Sequence, residues 1–309
     1  MSPMPGLDVS AVIVTYGRDR VLVDTIRRVL EQEPPPFELL IVDQTLLHAP
    51  DVERELDGLA KTGAIDWIRL PRPSIPAAMN VGLERARSEI VLFLDDDVVP
   101  RPGLVAAHLE AHAGSGASVV AGQVLQPGEE PVSCATASFR FNAADRGWVT
   151  EAIGANFSIR RDLALRIGGI DENFVRAAYG YEAELCARAI AAGGRVLFEP
   201  AASVRHLRAP SGGTRSYGSH LRTILPGHSV GAFYRILRTN PPAAAPGKVL
   251  GRLARSVRTR HHLRRPWWIP VTLVAETLGL FWAIGLAARG PRLLPGAEPA
   301  GEPISGRVS

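Results

Sequence analysis

The sequence predicts an α/β fold in which a mostly parallel, Rossmann-like sheet is flanked by helices. Nearly continuous apolar runs occupy 9–14, 37–42 and 90–94. Segments with helical periodicity separate them, and a polar loop follows each run. Strands that are apolar on both faces are typical of parallel sheets covered by helices. The three observations together therefore predict a sheet with helices on both sides.

Composition excludes several other classes of protein. The chain has 309 residues, of which 46% are hydrophobic and 21% are charged, which is ordinary for a globular protein and unlike a disordered or collagen-like chain. Its only cysteines, Cys134 and Cys186, lie far apart and show no metal-ligand spacing. We therefore expect neither a disulfide framework nor a zinc site. We also expect the protein to reside in a reducing compartment.

The elements follow in order from these patterns. In the first half of the chain, Pro34–Pro36 end the first helix, since proline breaks a helix interior. In the second half, Gly193-Gly194 end the last of the helices given below. The predicted strands are 9–14, 37–42, 65–70, 90–94, 118–123, 155–159 and 195–198, and the predicted helices are 21–31, 52–60, 77–87, 104–113, 161–167 and 182–192.

Polar segments follow three of the predicted strands. They are Thr15-Tyr16-Gly17, Asp43-Gln44-Thr45 and Asp95-Asp96-Asp97. Ligands of open α/β sheets bind at the carboxyl ends of the strands, so these segments predict the binding edge. The first loop has neither the glycine pattern of a dinucleotide fold nor that of a P-loop, which argues against both.

The segment Asp95-Asp96-Asp97 is the strongest local signal. Three adjacent carboxylates repel one another at the end of an apolar strand, and a cation would reverse the local electrostatics. A hard divalent cation with oxygen ligands fits, and Mg²⁺ commonly joins carboxylates to substrate phosphates. The alternative is a solvated acidic turn.

Several segments in a fixed order resemble the inverting family-2 glycosyltransferases. They are VSAVIVTYGR, IVDQT and EIVLFLDDDVVPRPG, then GANFSIRRDLALRIGGIDENF, YGYEAELCARAIAAGGRVLFEP and VRHLRAPSGGTR. The resemblance implies the nucleotide-diphospho-sugar transferase fold called GT-A. It also implies a divalent cation, Mn²⁺ or Mg²⁺, and sugar transfer from a nucleoside diphosphate.

The resemblance also assigns residues to the donor. Asp97 would bind the cation, Asp95 the ribose or the cation, and Asp43 the base, for which a strand-end cap is the alternative. Thr15 and Tyr16 would surround the nucleotide. The residues assigned to the donor side are Thr15, Tyr16, Arg18, Asp43, Asp95, Asp96, Arg208 and Arg215.

The segment that would supply the catalytic base departs from the family pattern, which is Glu-Asp-x-Asp/Glu-Leu. This chain reads Tyr181-Glu182-Ala183-Glu184-Leu185. Alignment on Glu184-Leu185 puts Glu182 in the base position, whereas the other register leaves Ala183 there. We predict Glu182 as the base.

Two further residues fall on the acceptor side by the same resemblance. Glu184 would position the acceptor, or else be a helix N-terminal acid favoured by the dipole. Asn156 would lie near the acceptor, or else satisfy a turn.

His206 begins a segment with the character of a lid. The resemblance places His206 at the cation or the diphosphate, whereas an isolated histidine is ordinarily structural. Residues 206–215 contain two glycines and two arginines, Arg208 and Arg215, which could pair with a diphosphate. We therefore predict a lid that closes over the donor.

Charge and hydropathy set the C-terminal third apart. Residues 200–309 contain 16 basic and 3 acidic residues, a net charge of +13, whereas residues 1–199 carry −9. Residues 266–288 are mostly apolar and carry one charge, Glu276, which makes a membrane span marginal.

The apolar segment suits a helix lying in the membrane interface. Thr272, Glu276, Gly279 and Ala283 share one helical face, and Trp267-Trp268 would lie at headgroup level. The preceding arginines would bind anionic lipid. The alternative is a core or dimer helix.

The predicted organisation has four parts: a GT-A domain over 1–239, a linker over 240–250, a basic and apolar membrane-associating segment over 251–290, and a flexible tail over 291–309. The predicted function is a metal-dependent inverting glycosyltransferase. It would act on a glycan or lipid-linked hydroxyl in the cytoplasm, peripherally bound to the inner face of the membrane.

The same residues bear on three alternative functions. A nucleotidyltransferase would need a glycine-rich basic loop after the first strand. The chain could also be a degenerate glycosyltransferase that binds without turnover, because the segment around Glu182 departs from the family pattern. Nucleic acid is not an expected partner, since no stacking or recognition motif accompanies the arginines.

Overall fold

A nine-stranded sheet runs through the centre of the structure, a computed structural model that describes residues 7–134, 139–218 and 221–297. Its order is β3-β2-β1-β4-β8-β6-β9-β5, and β7 pairs with β9. The strands are β1 (Val9–Thr15), β2 (Glu38–Asp43), β3 (Asp66–Arg69), β4 (Ile90–Leu94), β5 (Val98–Pro100), β6 (Val119–Leu125), β7 (Gly147–Val149), β8 (Asn156–Arg160) and β9 (Val196–His206).

Ten α-helices accompany the sheet in the described residues. They are α1 (Arg20–Leu30), α2 (Pro50–Lys61), α3 (Ile75–Arg85), α4 (Leu104–Ser115), α5 (Arg161–Arg166), α6 (Tyr181–Ala191), α7 (Val230–Thr239), α8 (Ala245–Val257), α9 (Arg260–Arg264) and α10 (Ile269–Ala288).

The sheet is parallel on one side and mixed on the other. Strands β3, β2, β1 and β4 pair in parallel, and β6 pairs in parallel with β9. Strand β8 is antiparallel to both β4 and β6, and β5 and β7 are antiparallel to β9. The α/β prediction is confirmed, with more antiparallel pairing than expected, because no α-helix of the described residues joins β6 to β8 as a parallel crossover would.

Alternate strand residues supply two cores, one on each face of the sheet. Val12 and Phe93 pack into one core, while Ile13 and Leu92 pack into the other. All five residues of β4 are buried. Because both faces of these strands are covered, their sequences are almost entirely apolar, which is the pattern that predicted the sheet.

Helix α10 packs one narrow face against α7 and α8. That buried face contains Thr272, Glu276, Gly279 and Ala283, the residues that the sequence placed together. Protein, rather than water, covers this polar face. The opposite face exposes large apolar side chains, namely Leu273, Val274, Leu278, Phe281 and Ile284.

By length and composition alone, Pro266–Ala288 could cross a membrane, and a third of it is buried.

Two expected boundaries in the C-terminal third need correction. Helix α8 begins at Ala245, so half of the expected linker 240–250 is helical. In the expected flexible tail, the Arg292 N–H donates to Asp171 Oδ1 and the Leu294 N–H to the Gly168 carbonyl, both at 2.9 Å. These bonds hold 291–297 on the domain; residues 298–309 lie outside the described residues.

Candidate active site

A cavity of about 560 Å³ opens at the carboxyl ends of β1 and β4. Parallel strands bring their ends to one edge of the sheet, which is where the sequence placed the binding site. Tyr16, the three aspartates 95–97, Glu182 and His206 line it together with Arg18, Arg208 and Arg215. The structure thus brings together residues that are nearly 200 positions apart.

Asp95, Asp97 and His206 converge within this cavity. Strand β5 pairs with β9 so that Val98 lies opposite His206, which carries the imidazole to the aspartate segment. His206 Nε2 lies 3.3 Å from Asp95 Oδ2 and 3.4 Å from Asp97 Oδ1. The three ligand atoms lie within 4.8 Å of one another.

The chemistry of this triad fits a divalent cation. The two carboxylate oxygens suit either Mn²⁺ or Mg²⁺, and the imidazole nitrogen suits Mn²⁺ better than Mg²⁺, which prefers oxygen ligands. Burial raises the pKa of Asp97, opposed by His206 and reinforced by Asp95. Burial lowers the pKa of His206, but the carboxylates of Asp95 and Asp97 outweigh it and the net direction is upward. A bound cation would relieve this crowding of negative charge.

The Asp96 side chain turns away from the triad and bonds to other groups of the protein. It accepts hydrogen bonds from the Thr15 hydroxyl at 2.8 Å and from Arg18 Nε at 3.0 Å. Burial raises the pKa of Asp96 to about 7, and the Arg18 guanidinium opposes that rise. Thr15, Arg18 and Asp96 are all buried. Thr15 and Asp96 thus support the site from within, and because both also line the cavity, their expected donor contacts stay a prediction.

Arg18 ties the first loop to the segment after β9. Its guanidinium contacts Asp97 Oδ2 at 3.3 Å and donates to the Ser211 carbonyl. These contacts let Arg18 position Asp96 and Asp97, and since Arg18 also lines the cavity, its expected contact with the donor stays a prediction.

The expected lid segment lies across the cavity in contact with the first loop. The Gly213 N–H donates to the Tyr16 carbonyl, and the Ala209 N–H donates to Asp97 Oδ2, both at 2.7 Å. A Cβ at Gly212 would lie 2.3 Å from the Gly17 carbonyl oxygen, so this approach requires glycine. The segment is therefore anchored to both sides of the cavity.

Both lid arginines line the cavity. Arg208 Nε donates to Gln126 Oε1 at 2.8 Å, and Arg215 lies 4.0 Å from Asp97 Oδ2. Each is close enough to the aspartate cluster to meet an anionic ligand there.

Glu182 stands at the N-terminal end of α6 and reaches the cavity wall. Its Oε1 accepts a hydrogen bond from the Gly154 N–H at 3.1 Å. Burial, with Asp95 and Glu151 nearby, raises the pKa of Glu182 to about 7. A Cβ at Gly154 would lie 2.9 Å from Glu182 Oε1 and 2.3 Å from the Tyr181 hydroxyl, so glycine there makes room for the carboxylate.

Sequence reasoning missed two residues beside Glu182. Tyr179 and His228 line the cavity, and their rings lie 5.7 Å apart. Tyr179 lies just before α6, so its proximity to Glu182 was a usable signal. His228 comes from the turn before α7, and nothing in the sequence joined it to this site.

Asp43 lies outside the cavity wall, where the sequence had placed it at the nucleotide base. It is fully buried, and Oδ2 meets His48 Nε2 at 2.7 Å and accepts from Trp67 Nε1 at 3.0 Å. Its Oδ1 accepts from the Thr45 N–H at 2.8 Å. The structure assigns Asp43 to the strand-end alternative, because both oxygens are engaged with protein donors.

The two acceptor-side residues are also structural. Asn156 is buried, and its amide bonds to His108 and to the carbonyls of Gln123 and Ala202. Glu184 is buried in an ion pair with Arg188 at 2.8 Å. Neither side chain lines the cavity. The expectation that they meet the acceptor is therefore corrected.

The sheet order, with a cavity lined by Asp95, Asp97 and His206 at its edge, is that of the GT-A class of fold. The sequence model of glycosyl transferase family 2 matches residues 10–168, just over half of the chain. The chain belongs to this family and is a glycosyltransferase. The family and enzyme class predicted from the sequence are confirmed.

Characterised relatives share parts of this sequence. The glucosyl-dolichyl phosphate glucuronosyltransferase of Haloferax volcanii is 26% identical over 65% of this chain and 69% of its own length. The pre-mycofactocin glycosyltransferase of Mycobacterium tuberculosis is 32% identical over 46% of this chain. That alignment covers only 32% of the mycobacterial protein.

Solved structures support the fold. The mannosyltransferase PcManGT of Pyrobaculum calidifontis, in complex with GDP-Man and Mn²⁺, matches with a TM-score of 0.53 at 19% identity, over 94% of this chain and 83% of its own. GalNAc-T7 with UDP, GalNAc and Mn²⁺ matches with a TM-score of 0.54 at 16% identity, over 65% of this chain and 44% of its own. At these identities the likeness concerns the fold.

Proposed function

We propose that this glycosyltransferase is a divalent-cation-dependent, inverting enzyme that transfers a sugar from a nucleoside diphosphate to a hydroxyl of a lipid-linked or envelope glycan. The observation that carries the proposal is the convergence of Asp95, Asp97 and His206 in the cavity that Glu182 also lines. The cation complexes of the structural neighbours agree with it.

The cation would be held by Asp95, Asp97 and His206. Bound there, it supplies positive charge to the departing diphosphate. Arg215 and Arg208 add positive charge at the same edge of the cavity, where an anionic diphosphate would lie. Arg18 holds Asp96 and Asp97 in place while these groups act.

Glu182 is the proposed base. It takes the proton of the acceptor hydroxyl while that oxygen attacks the anomeric carbon from the side opposite the diphosphate. The new carbon–oxygen bond forms as the bond to the phosphate oxygen breaks, and the configuration inverts. A carboxyl whose pKa lies at about 7 is well matched to proton transfer near neutral pH.

The acceptor and the location are proposed from two features. The exposed apolar face of α10 lies next to an arginine-rich segment, which suits association with an anionic membrane surface. The relative from Haloferax volcanii carries a dolichyl phosphate sugar in its name, which favours a lipid-linked acceptor. We place the enzyme at the cytoplasmic face of the membrane, with the packed helices 245–288 as an extension of the catalytic domain.

The test is donor binding and hydrolysis with and without Mn²⁺ or Mg²⁺. UDP-, GDP- and dTDP-sugars are titrated into wild type, Asp97→Asn and the exposed control Asp57→Asn. We expect cation-dependent binding of one donor class, at least about tenfold weaker in Asp97→Asn, because a charged contact is lost. Binding that ignores the cation, or equal binding by Asp97→Asn, would contradict the proposal.

A further inference from the structure

A second cavity lies on the far side of Glu182 from the aspartate cluster. It has a volume of about 420 Å³ and is walled by the segment before β8, by α6, by α7 and by the C-terminal helices α8 and α10. Ile153, Tyr179, Glu182 and His228 line both this cavity and the donor cavity. Glu182 is therefore placed between the two spaces.

A third cavity, of about 280 Å³, continues from the second between α7, α8 and α10. The second and third cavities share Ala232, Arg235, Arg252 and Glu276. Arg255, Ser256 and Thr259 line only the third. Together they extend from the carboxylate of Glu182 to the arginine-rich helix α8.

The charges change along this path. Glu151, Glu182 and the Tyr179 ring line the end beside the donor cavity, where carboxylates suit sugar hydroxyls. Arg235, Arg252 and Arg255 line the far end with Glu276 as the single acid. The path is thus fitted for a neutral polar group at one end and an anion at the other.

Two of the three arginines are not held in a close ion pair and can therefore bind an anion. Arg252 is held by Glu276 through Nε–Oε2 at 3.0 Å and Nη2–Oε1 at 3.1 Å. Arg235 lies 3.8 Å from Glu151, a loose pair between partly exposed groups. Arg255 is exposed and forms no ion pair with any side chain of the described residues. Such guanidinium groups bind phosphate oxygens well.

We propose that these two cavities are the acceptor site and that the acceptor is a sugar joined to a membrane lipid through a phosphate. The sugar occupies the cavity beside Glu182, and the phosphate lies at Arg235 and Arg255. Helix α10 forms a wall of both cavities and exposes Leu278 and Phe281 on its other face, which places the site beside an apolar surface. The inference rests on the proposed function and adds the location and charge of its acceptor.

Binding to the full chain tests the proposal. The probes are glucosyl farnesyl phosphate, octyl glucoside, which lacks the phosphate, and glucose 1-phosphate, which lacks the lipid. We expect the first to bind at least about tenfold more tightly than the second, as a charged contact implies. Tightest binding of glucose 1-phosphate would instead identify a soluble acceptor and overturn the lipid assignment.

Paired variants locate the binding site. Arg255→Gln removes a cavity arginine, and Arg258→Gln removes an exposed arginine of the same helix end that does not line the cavity. Ala232→Leu fills the shared region from α7, and Ala254→Leu adds the same bulk on α8 away from both cavities. We expect about fivefold to tenfold weaker probe binding for Arg255→Gln and Ala232→Leu only.

Binding of UDP and GDP with Mn²⁺ is the independent readout. We expect all four variants to bind the nucleotide as wild type does. Nucleotide binding together with equal probe binding by wild type, Arg255→Gln and Ala232→Leu overturns this inference alone. Failure of wild type to bind any nucleotide counts against the proposed function itself.

Discussion

At the scale of single residues, the site is built from carboxylates placed in different surroundings. Asp96 forms an ion pair with Arg18 and accepts a hydrogen bond from the Thr15 hydroxyl. Asp95 and Asp97 instead lie on either side of the His206 imidazole, in a group that could bind a cation. Glu182 has no cationic partner in the described residues and accepts a backbone N–H instead. These differences give neighbouring acids separate roles in one cavity.

Glu182 makes the reaction dependent on pH. Since the pKa of Glu182 is raised to about 7, the base form increases as pH rises through that value, and we expect kcat/KM to rise with it. Glu182→Gln should lower transfer by about 10² to 10⁴-fold and keep donor binding. A pH series of initial rates, with Glu182→Asp as the variant that keeps a carboxylate, checks this. An unchanged profile in Glu182→Gln would remove it from the mechanism.

Arg18 should determine stability as well as geometry. Arg18→Gln leaves Asp96 buried without its guanidinium partner and removes one of the cationic neighbours of Asp97. Breaking such a buried pair costs about 3–5 kcal/mol. The control is Arg20→Gln, because Arg20 pairs with Glu55 at the surface, where an ion pair contributes little to stability. Urea unfolding at pH 7 measures both. Equal losses would show that Arg18 does not compensate the aspartates.

Most residues of the site were predictable, and those that were not depended on tertiary contacts. Asp95, Asp97, His206 and Glu182 lie in recognisable segments, and the structure brings them together. Asn156 also lay in such a segment, yet its side chain points into a buried network with His108. A motif gives the position of a residue in the chain, and packing decides where its side chain points.

At the scale of elements, the parallel half of the sheet followed directly from the apolar runs. Strand β9 extends to His206, eight residues beyond its predicted end, because it continues past a register shift against β6 to pair with β5. Strands β5 and β7 have three residues each, too few to show a strand pattern of their own. They exist through pairing with β9, which no local pattern reports.

Two glycines of α10 allow the effect of packing on stability to be distinguished from the effect of helix propensity. A Cβ at Gly279 would lie 2.1 Å from Ser229 Oγ, whereas one at Gly285 meets nothing within 4 Å. Gly279→Ala should destabilise the protein by about 1–3 kcal/mol through overpacking against α7. Gly285→Ala should stabilise it by up to about 1 kcal/mol, because alanine favours helix.

Thermal unfolding of the two glycine variants checks this prediction through the direction of the change in Tm. If both variants shifted Tm in the same direction, α10 would not be packed on α7 in solution.

At the scale of the whole molecule, charge and apolar surface coincide in the C-terminal third. Residues 200–309 carry +13 against −9 for the rest, and α10 covers its polar face with protein while exposing its apolar face. The sequence identified the two faces of this helix. It could not show which one the protein covers, because that depends on contacts with α7 and α8.

This arrangement predicts binding to anionic membranes in which charge and apolar contact both contribute. The protein should sediment with vesicles of equal parts phosphatidylglycerol and phosphatidylcholine, and much less with phosphatidylcholine alone. Added salt should weaken binding by screening the arginines. Phe281→Ser should weaken it about tenfold, because burying a phenylalanine side chain contributes about 1.5–3 kcal/mol.

The matched control is Leu47→Ser, which removes an apolar side chain at least as exposed as Phe281 from the acidic N-terminal part. We expect it to sediment like wild type, since that part of the surface repels anionic lipid. If Leu47→Ser and Phe281→Ser lost binding equally, the attachment would be nonspecific. If neither variant lost binding and salt had no effect, the exposed face of α10 would have to be covered by something other than a membrane, such as a second protein chain.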